Sequence, residues 1–324
     1  MDYLVTGATG FVGNNVVRAL LDRGQTVRVL VRKTSDDRPL AGLNVDRVVG
    51  DICTQADVEN AIDGCRHVIH AAASVAIGWR GIEAARKINV DATEHIAAAA
   101  AERDAKMIFV SSVDALAPGR RKDLVNEETP YRPKVPCTYV VTKREAELRV
   151  LDYVKEGLHA NIVNPGFMLG PFDWKPSSGR MLIDVATKFS PFAPPGGMSI
   201  CDVRDVVAAI LTASQNAPPG RRYILAGHNV KFTKAWRLFS KQGNTTGPLS
   251  PFGPAVARVV GAMGDLRTRL TGVEGEINSA MLRMACMNHF YSSDRAIAEL
   301  DYKVRPMEDS IRDAWHWFRE NDYV

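Results

Sequence analysis

Tyr139 and Lys143 stand four residues apart at the opening of a helical pattern that runs to Glu156 and is closed by Gly157. Side chains at that spacing share one face of a helix. A phenol titrates near about 10 and is a poor acid–base group at neutral pH. An ammonium beside it stabilises the phenolate and should draw that value down toward the working range. Upstream, the apolar strand pattern Lys106-Met107-Ile108-Phe109-Val110 ends in Ser111 and Ser112, two hydroxyls able to hydrogen-bond a substrate oxygen. Taken alone, Tyr139 and Lys143 read as a surface aromatic–cation pair. The rest of the chain lifts them above that.

Such a pair needs a second reactant held against it, and the first residues offer a way. Met1 to Val5 reads as a short apolar strand, Thr6-Gly7-Ala8-Thr9-Gly10-Phe11-Val12-Gly13 as a glycine turn, and Asn14 to Arg23 as a helix closed by Gly24. Strand, glycine turn and helix in that order open a dinucleotide-binding βαβ unit. Gly7 permits the tight turn, Gly10 admits a pyrophosphate to the backbone, and Gly13 lets helix and strand pack closely. The phosphates would lie over the free N–H groups and positive end of a helix beginning near Phe11. The spacing is G-x-x-G-x-x-G rather than G-x-G-x-x-G, so the flanking strand and helix carry the argument.

Thr26 to Val31 follows as an alternating strand ending at Arg32-Lys33. The position after the second strand of such a unit faces the adenosine ribose, where an acid binds a 2′-hydroxyl and a cation a 2′-phosphate. Arg32 therefore favours NADP(H), with Lys33 or Arg38 as a second cation, while NAD(H) stays possible. Arg47 to Ile52 reads as a third strand, and Thr54 to Gly64 as a helix with Thr54 and Asp57 as a capping pair. His67 to Ala73 is a buried strand ending in Ala71, Ala72 and Ala73, small enough for a cofactor to lie against. His67 and His70 are strand residues rather than ligands. Ile82 to Arg103 reads as one long helix whose alanines, Ala97 to Ala101, permit close approach within the domain or against a second subunit. Ala160 to Gly166 is a sixth strand.

Together the glycine turn, the terminal serines and the Tyr-x-x-x-Lys pair resemble the short-chain dehydrogenases/reductases, and in particular their extended branch, the NAD-dependent epimerase/dehydratase family. The resemblance covers nearly the whole chain and is strongest over residues 1 to 171. It implies an α/β fold: a Rossmann doubly wound parallel sheet over 1–171, then a smaller, mostly helical substrate lobe over 172–324. A strand and helix around 200–227 would return to the first body. By the same resemblance Ser112, Tyr139 and Lys143 are the catalytic trio. Ser112 is preferred to Ser111 because the family's hydroxyl directly precedes the apolar residue leaving the strand, here Val113. Lys143 would also bind the nicotinamide ribose. Gly7, Thr9, Gly10, Phe11, Val12 and Gly13 would hold the phosphates. Asp51 and Ile52 would meet the adenine, and Pro165, Gly166, Phe167 and Met168 would cover the nicotinamide. Asn89 resembles the family's helix asparagine near the site. A homodimer through the helices Ile82–Arg103 and Tyr139–Glu156 is expected on this ground.

Composition narrows the partners. The 324 residues carry a net charge of +4, with 46% apolar and 24% charged residues, ordinary values for a globular protein with a sizeable core. The longest basic run, Arg120-Arg121-Lys122, has no interleaved aromatics, which speaks against nucleic acid. Five cysteines without a C-x-x-C fit reduced thiols in a cytoplasm, and no histidine stands in metal-ligand spacing. The chain enters a strand at once, leaving no room for a signal peptide, and no apolar run approaches a membrane span. Pro248 to Met287 looks helical with an apolar stripe, read as core packing. Trp315, Trp317 and Phe318 in a last helix, Pro306 to Asn321, read as lobe packing.

Within the family the chain looks most like the dihydroflavonol-reductase-like proteins and the hopanoid-associated sugar epimerases. A carbonyl reductase needs only Ser112, Tyr139, Lys143 and an exchangeable cofactor. A nucleotide-sugar epimerase uses the same trio with tightly held NAD. Dehydration is disfavoured, because Ser112-Val113-Asp114 lacks the first carboxylate of that group's Thr-Asp-Glu. Arg32 and the apolar Phe167, Met168 and Phe172 favour reduction of an apolar carbonyl. Arg180 argues the other way, as a cation able to hold a diphosphate. Val113, Asp114, Phe167 and Arg180 are the candidate substrate contacts. Cys137, two residues before Tyr139, reads as a structural thiol. A non-catalytic NADP-binding redox sensor is the remaining class, and the intact Tyr139 and Lys143 count against it.

Overall fold

A computed structural model describes every residue except Arg121 and Pro133, so one residue of the basic run and one proline of the loop before Tyr139 lie outside the described residues. The first half alternates strand and helix. Its elements are β1 (Tyr3–Thr6), α1 (Phe11–Asp22), β2 (Val27–Val31), β3 (Asp46–Val49), α2 (Gln55–Ile62) and β4 (His67–His70), then α3 (Ile82–Arg86), α4 (Ala92–Glu102), β5 (Lys106–Val110), α5 (Thr138–Lys155) and β6 (Ala160–Pro165). The second half adds β7 (Phe167–Leu169), α6 (Ser178–Thr187), β8 (Phe192–Ala193), β9 (Gly197–Asp202), α7 (Val203–Asn216) and β10 (Arg222–Leu225). It ends with β11 (His228–Lys231), α8 (Phe232–Gln242), β12 (Ser250–Pro251), α9 (Pro254–Thr271), α10 (Ser279–Ala285), α11 (Asp294–Leu300) and α12 (Met307–Glu320).

Seven strands form one parallel sheet in the order β10-β6-β5-β4-β1-β2-β3. This is a Rossmann sheet with helices on both faces, as expected. Val16, Val17 and Leu20 of α1 pack with Val206 and Ile210 of α7 on one face. Val58 of α2, Ile96, Ala97 and Ala100 of α4, and Ala146 and Val150 of α5 fill the other. The alanines of α4 therefore serve close packing inside the chain. The strand order reverses between β1 and β4, and ligands of open α/β sheets bind in the crevice at that switch point.

A second sheet, β11-β9-β7, branches from the end of β6. Its three strands frame a lobe in which Leu182, Phe239, Ile311, Trp315 and Phe318 form a separate core. The lobe packing expected of the α12 aromatics is what the structure has.

Three expectations need correction. The helix read over Ile82 to Arg103 is interrupted by a π turn at Lys87–Asp91. Thr54 caps α2 without a side-chain hydrogen bond, because the Asp57 carboxylate accepts from the Asp51 N–H instead (2.8 Å). The apolar stripe of α9 does not pack in the core. Small residues, Ala257 and Gly261, face inward there, while Val256, Val259, Met263 and Leu270 are exposed.

Candidate active site

The turn after β1 is shaped by its glycines. Gly7 adopts a left-handed φ of +73°, and a Cβ on it would lie 2.6 Å from the Ala72 nitrogen, so β1 and the exit of β4 approach as backbone on backbone. A Cβ on Gly13 would press 2.6 Å from the Gly7 carbonyl carbon. Gly10 is different: a Cβ there would meet only the Gly7 oxygen, at 3.3 Å, and otherwise open space over the start of α1. The first-turn N–H groups of Phe11, Val12 and Gly13 have no carbonyl one turn back and face that space. A free helix end beside an open glycine is a fit for a pyrophosphate. Ala71 and Ala72 are half-buried and Ala73 exposed along the same edge.

Beyond β2, Arg32 and Lys33 are exposed and Arg38 is turned onto Asp36 (2.7 Å). Asp51 and Ile52 are half-buried in the loop after β3, where an Asp51 oxygen accepts from the Cys53 N–H (2.9 Å). Pro165 ends β6. A Cβ on Gly166 would strike the Ser199 carbonyl oxygen at 2.6 Å, which keeps β7 tight against β9. Phe167 and Met168 are half-buried, one against the lobe core and the other against the main core.

The helix that carries Tyr139 starts on a borrowed frame. The N–H groups of Thr138 and Tyr139 donate to the Gly78 and Ala76 carbonyls (2.9 and 3.1 Å), so the loop after β4 caps α5. Cys137, fully buried, takes the N-cap position, in keeping with a structural thiol. Ser112 leaves β5 and accepts from the Asp114 N–H (3.1 Å). That hydroxyl lies close enough to the Tyr139 phenol to favour its ionised form. Serine, tyrosine and lysine are thus gathered at the carboxyl end of β5.

The electrostatics differ from the expectation. Burial, reinforced by the Asp114 carboxylate, pushes the Tyr139 phenol up, and the Ser112 hydroxyl only partly opposes this. The Lys143 Nζ is engaged away from the phenol, donating to the Val110 carbonyl (2.8 Å) and lying 4.5 Å from the centre of the Phe109 ring. Burial brings the Lys143 ammonium down to about 8. The lysine therefore titrates nearer neutrality than a free ammonium, while the tyrosine stays protonated.

Two buried networks hold this trio, and of their members only Asn89 stands among the expectations, through the family resemblance. Asn89, in the π turn, donates to the Ser74 carbonyl and the Thr142 hydroxyl (both 2.9 Å) and accepts from the Ser74 N–H (2.7 Å). Its side chain belongs to the site's frame and not to solvent. On the other side, the Asn164 amide donates to the Ser112 carbonyl (2.8 Å) and to Glu147 (2.6 Å), which also accepts from Arg222 (2.8 Å). Beneath, His70 lies between Thr6 (2.6 Å) and Thr93 (3.0 Å), and burial pushes it down to about 3, so it is neutral.

In the loop before α5, Lys134 is buried and donates to the Val113 carbonyl (2.9 Å), Asp114 (3.2 Å) and the Tyr291 hydroxyl (2.7 Å). Burial alone would raise the Asp114 carboxyl, but Lys134 and His289 hold it well below the usual range. A cavity of about 520 Å³ begins at Lys134 and Val135 and runs between α9 and α10, walled by Ala257, Ala262, Leu282 and Met287. Met287 and Tyr139 both pack against the cluster of Val135, Cys137, Val140, Ala280 and Met284. Phe167, Phe172 and Arg180 do not line it. Phe172 stacks under Arg18 (4.0 Å), and Arg180 is exposed on α6. Alternation and glycine spacing reveal strands and turns, but not which residues of a helical lobe fold back over a tyrosine.

Residues 3–226 match the NAD dependent epimerase/dehydratase family. A Synechocystis protein named for dihydroflavonol 4-reductase is 30% identical over 99% of this chain and 96% of its own length. Sterol demethylase protein B of Methylococcus capsulatus is 29% identical over all of both chains. Among solved structures, the crystal structure of gox2253 superimposes with a TM-score of 0.86 at 34% identity, covering 99% of this chain and 98% of that one.

Proposed function

This chain belongs to the NAD dependent epimerase/dehydratase family and is an NAD(P)-dependent enzyme of it; from that premise we propose an NADP(H)-dependent oxidoreductase that interconverts a carbonyl and a secondary alcohol in a moderately large, apolar small molecule. The observation that carries this reading is the gathering of Ser112, Tyr139 and Lys143 at the carboxyl end of β5, beside a cavity with largely apolar walls.

The bound nicotinamide supplies hydride transfer, which protein side chains cannot. The chain's own residues do the rest. The N–H groups after Gly10 take the pyrophosphate, and Arg32 faces the 2′-phosphate. Ser112 hydrogen-bonds the substrate oxygen and fixes its direction. Tyr139 hands its phenolic proton to that oxygen in reduction and takes it back in oxidation. A phenol pushed up by burial is fully protonated at neutral pH, the form that reduction requires. Lys143, one turn along α5, is the ammonium able to steady the phenolate once the proton has left.

Two measurements test this. Nucleotide released from the purified, denatured protein is identified, and the empty protein is then titrated with NADPH and NADH. Exchangeable binding that prefers NADPH supports the reductase; one equivalent of NAD carried through purification would make the protein an epimerase instead. Tyr139→Phe should bind NADPH as the parent does and lose about a thousandfold or more in turnover of any carbonyl found to be reduced. Undiminished turnover in that variant would sink the assignment.

A further inference from the structure

Helix α9 is packed inside out. Its contact side is made of small residues, and a Cβ on Gly261 would lie 2.9 Å from the Ser279 Cα, so α10 sits against bare backbone. Its large apolar residues face outward: Val256, Val259, Val260, Met263, Leu266 and Leu270, with Met263 65% and Leu270 79% exposed. At ~3.6 residues per turn these fall on a single face of the helix. Large apolar surface gathered in one patch marks an interaction site, whereas scattered exposed residues do not.

The free charges on α9 itself have one sign. Arg258, Arg267 and Arg269 are all exposed on α9. The only carboxylate of the helix, Asp265, is occupied in accepting from the Ser279 N–H (3.0 Å). Glu274, just past the helix end, is turned onto the N–H groups of Trp79 and Arg80 (2.8 and 3.2 Å), leaving Glu276 as the nearby exposed acid. No helix among the described residues is long and apolar enough to cross a membrane. A helix with an apolar stripe flanked by arginines suits the plane of an interface.

We infer that α9 docks this protein on an anionic lipid surface, its apolar stripe entering the boundary of headgroups and acyl chains while Arg267 and Arg269 reach lipid phosphates. Long basic side chains reach outward in this way while their stems stay in apolar surroundings. A second copy is a poorer occupant, since a two-fold contact through the stripe would set arginine against arginine. The opposite side of the same helix walls the cavity through Ala257, Arg258 and Ala262. Docking would therefore bring the cavity to the bilayer, a route for a water-insoluble substrate. That last step rests on the proposed function; the docking itself does not.

Flotation of the full chain with phosphatidylcholine vesicles, with and without phosphatidylglycerol, tests the inference without using activity. The parent is expected to float with the anionic vesicles. Val259→Asp/Met263→Asp and, separately, Arg267→Glu/Arg269→Glu are expected to lower the bound fraction about tenfold or more, with unchanged thermal midpoint and NADPH binding. None of these four residues lines the cavity. Absence of flotation, or equal flotation of parent and variants, overturns the inference. So does a concentration-dependent dimer, seen by sedimentation without lipid and dissolved by Val259→Asp/Met263→Asp, which would assign the stripe to a second copy.

Discussion

The side-chain amide of Asn89 lies 2.9 Å from the Thr142 hydroxyl and ties the π turn after α3 to the helix that carries Tyr139 and Lys143. Thr142 passes the connection on to the Thr138 carbonyl (2.8 Å), and Asn89 itself is 1% exposed. Replacing Asn89 with Leu would leave the Thr142 hydroxyl without its Asn89 donor in the interior and the half-buried Ser74 N–H and carbonyl without theirs. One buried unsatisfied group costs about 1–3 kcal/mol, so Asn89→Leu should lose about 2–4 kcal/mol of unfolding free energy in urea. An unchanged urea midpoint would show that the bridge carries no stability. If the bridge also fixes α5, kcat should fall more than KM rises.

Lys143 links burial to pH. Its folded value is about 8 against an ordinary 10.5. Between those limits the unfolded chain holds a proton that the folded chain has released, so stability rises with pH across that window. Below about pH 8 the folded state carries the buried ammonium at a disadvantage of about 3 kcal/mol. Lys143→Met removes the group. Its stability relative to the parent should therefore be most favourable at pH 7 and decline by about 3 kcal/mol toward pH 10.5. Urea midpoints of both proteins across that range check this, and a constant difference would contradict it.

Asp114 differs from Lys143 in that its charged form is favoured, whereas at its partner Lys134 burial outweighs the carboxylate and draws the ammonium down. The Asp114 carboxyl is held below its ordinary range by Lys134 and His289 acting against burial, and Lys134 has no exposed side-chain surface. Removing one member of a buried pair costs about 3–5 kcal/mol because the other charge is stranded. Lys134→Met should show a loss of that size at pH 7, and Lys134→Met/Asp114→Asn clearly less than the sum of the two singles. The stability that Asp114 adds is full above about pH 4, its unfolded value, and lost as pH falls through its lower folded value. Parent and Asp114→Asn should thus converge in acid.

Elements set by local sequence were legible. The strand–turn–helix opening, the seven strands and α5 announce themselves through β-branched runs, glycines and spacing, and Gly7, Ser112, Tyr139 and Lys143 fall where those elements end. The frame around them was not legible. Asn89 is placed near the site by the family resemblance alone, since a polar residue in a helix pattern otherwise reads as solvent-facing until the π turn rotates it inward. Lys134 looks like a loop cation until Tyr291, 157 positions away, folds over it. Lys143 is read correctly as Tyr139's neighbour on α5, yet its Nζ is drawn off by the Val110 carbonyl of another strand. The strands β9 and β11 were missed because Gly197 and short length hide their alternation. The stripe of α9 has a core-like period, and only packing reveals that its small residues took the inner side.

Arg32 decides the cofactor reading. Of the cations grouped after β2, Arg38 is engaged by Asp36 at 2.7 Å, which leaves Arg32 and Lys33 facing solvent. A hydrogen bond from a charged donor to a phosphate contributes about 1.5–3 kcal/mol, or roughly tenfold to a hundredfold in affinity. On the proposed NADP(H) reading, Arg32→Asp would remove that contact and set a carboxylate against the 2′-phosphate, while offering an acceptor to a 2′-hydroxyl. The ratio of NADPH to NADH affinity should fall by about a hundredfold or more, and the thermal midpoint should stay put because the side chain is exposed. Fluorescence titration of both nucleotides against parent and variant reads the ratio directly. If Arg32→Asp weakens NADPH and NADH equally, Arg32 is not the discriminating cation and Lys33 becomes the residue to replace.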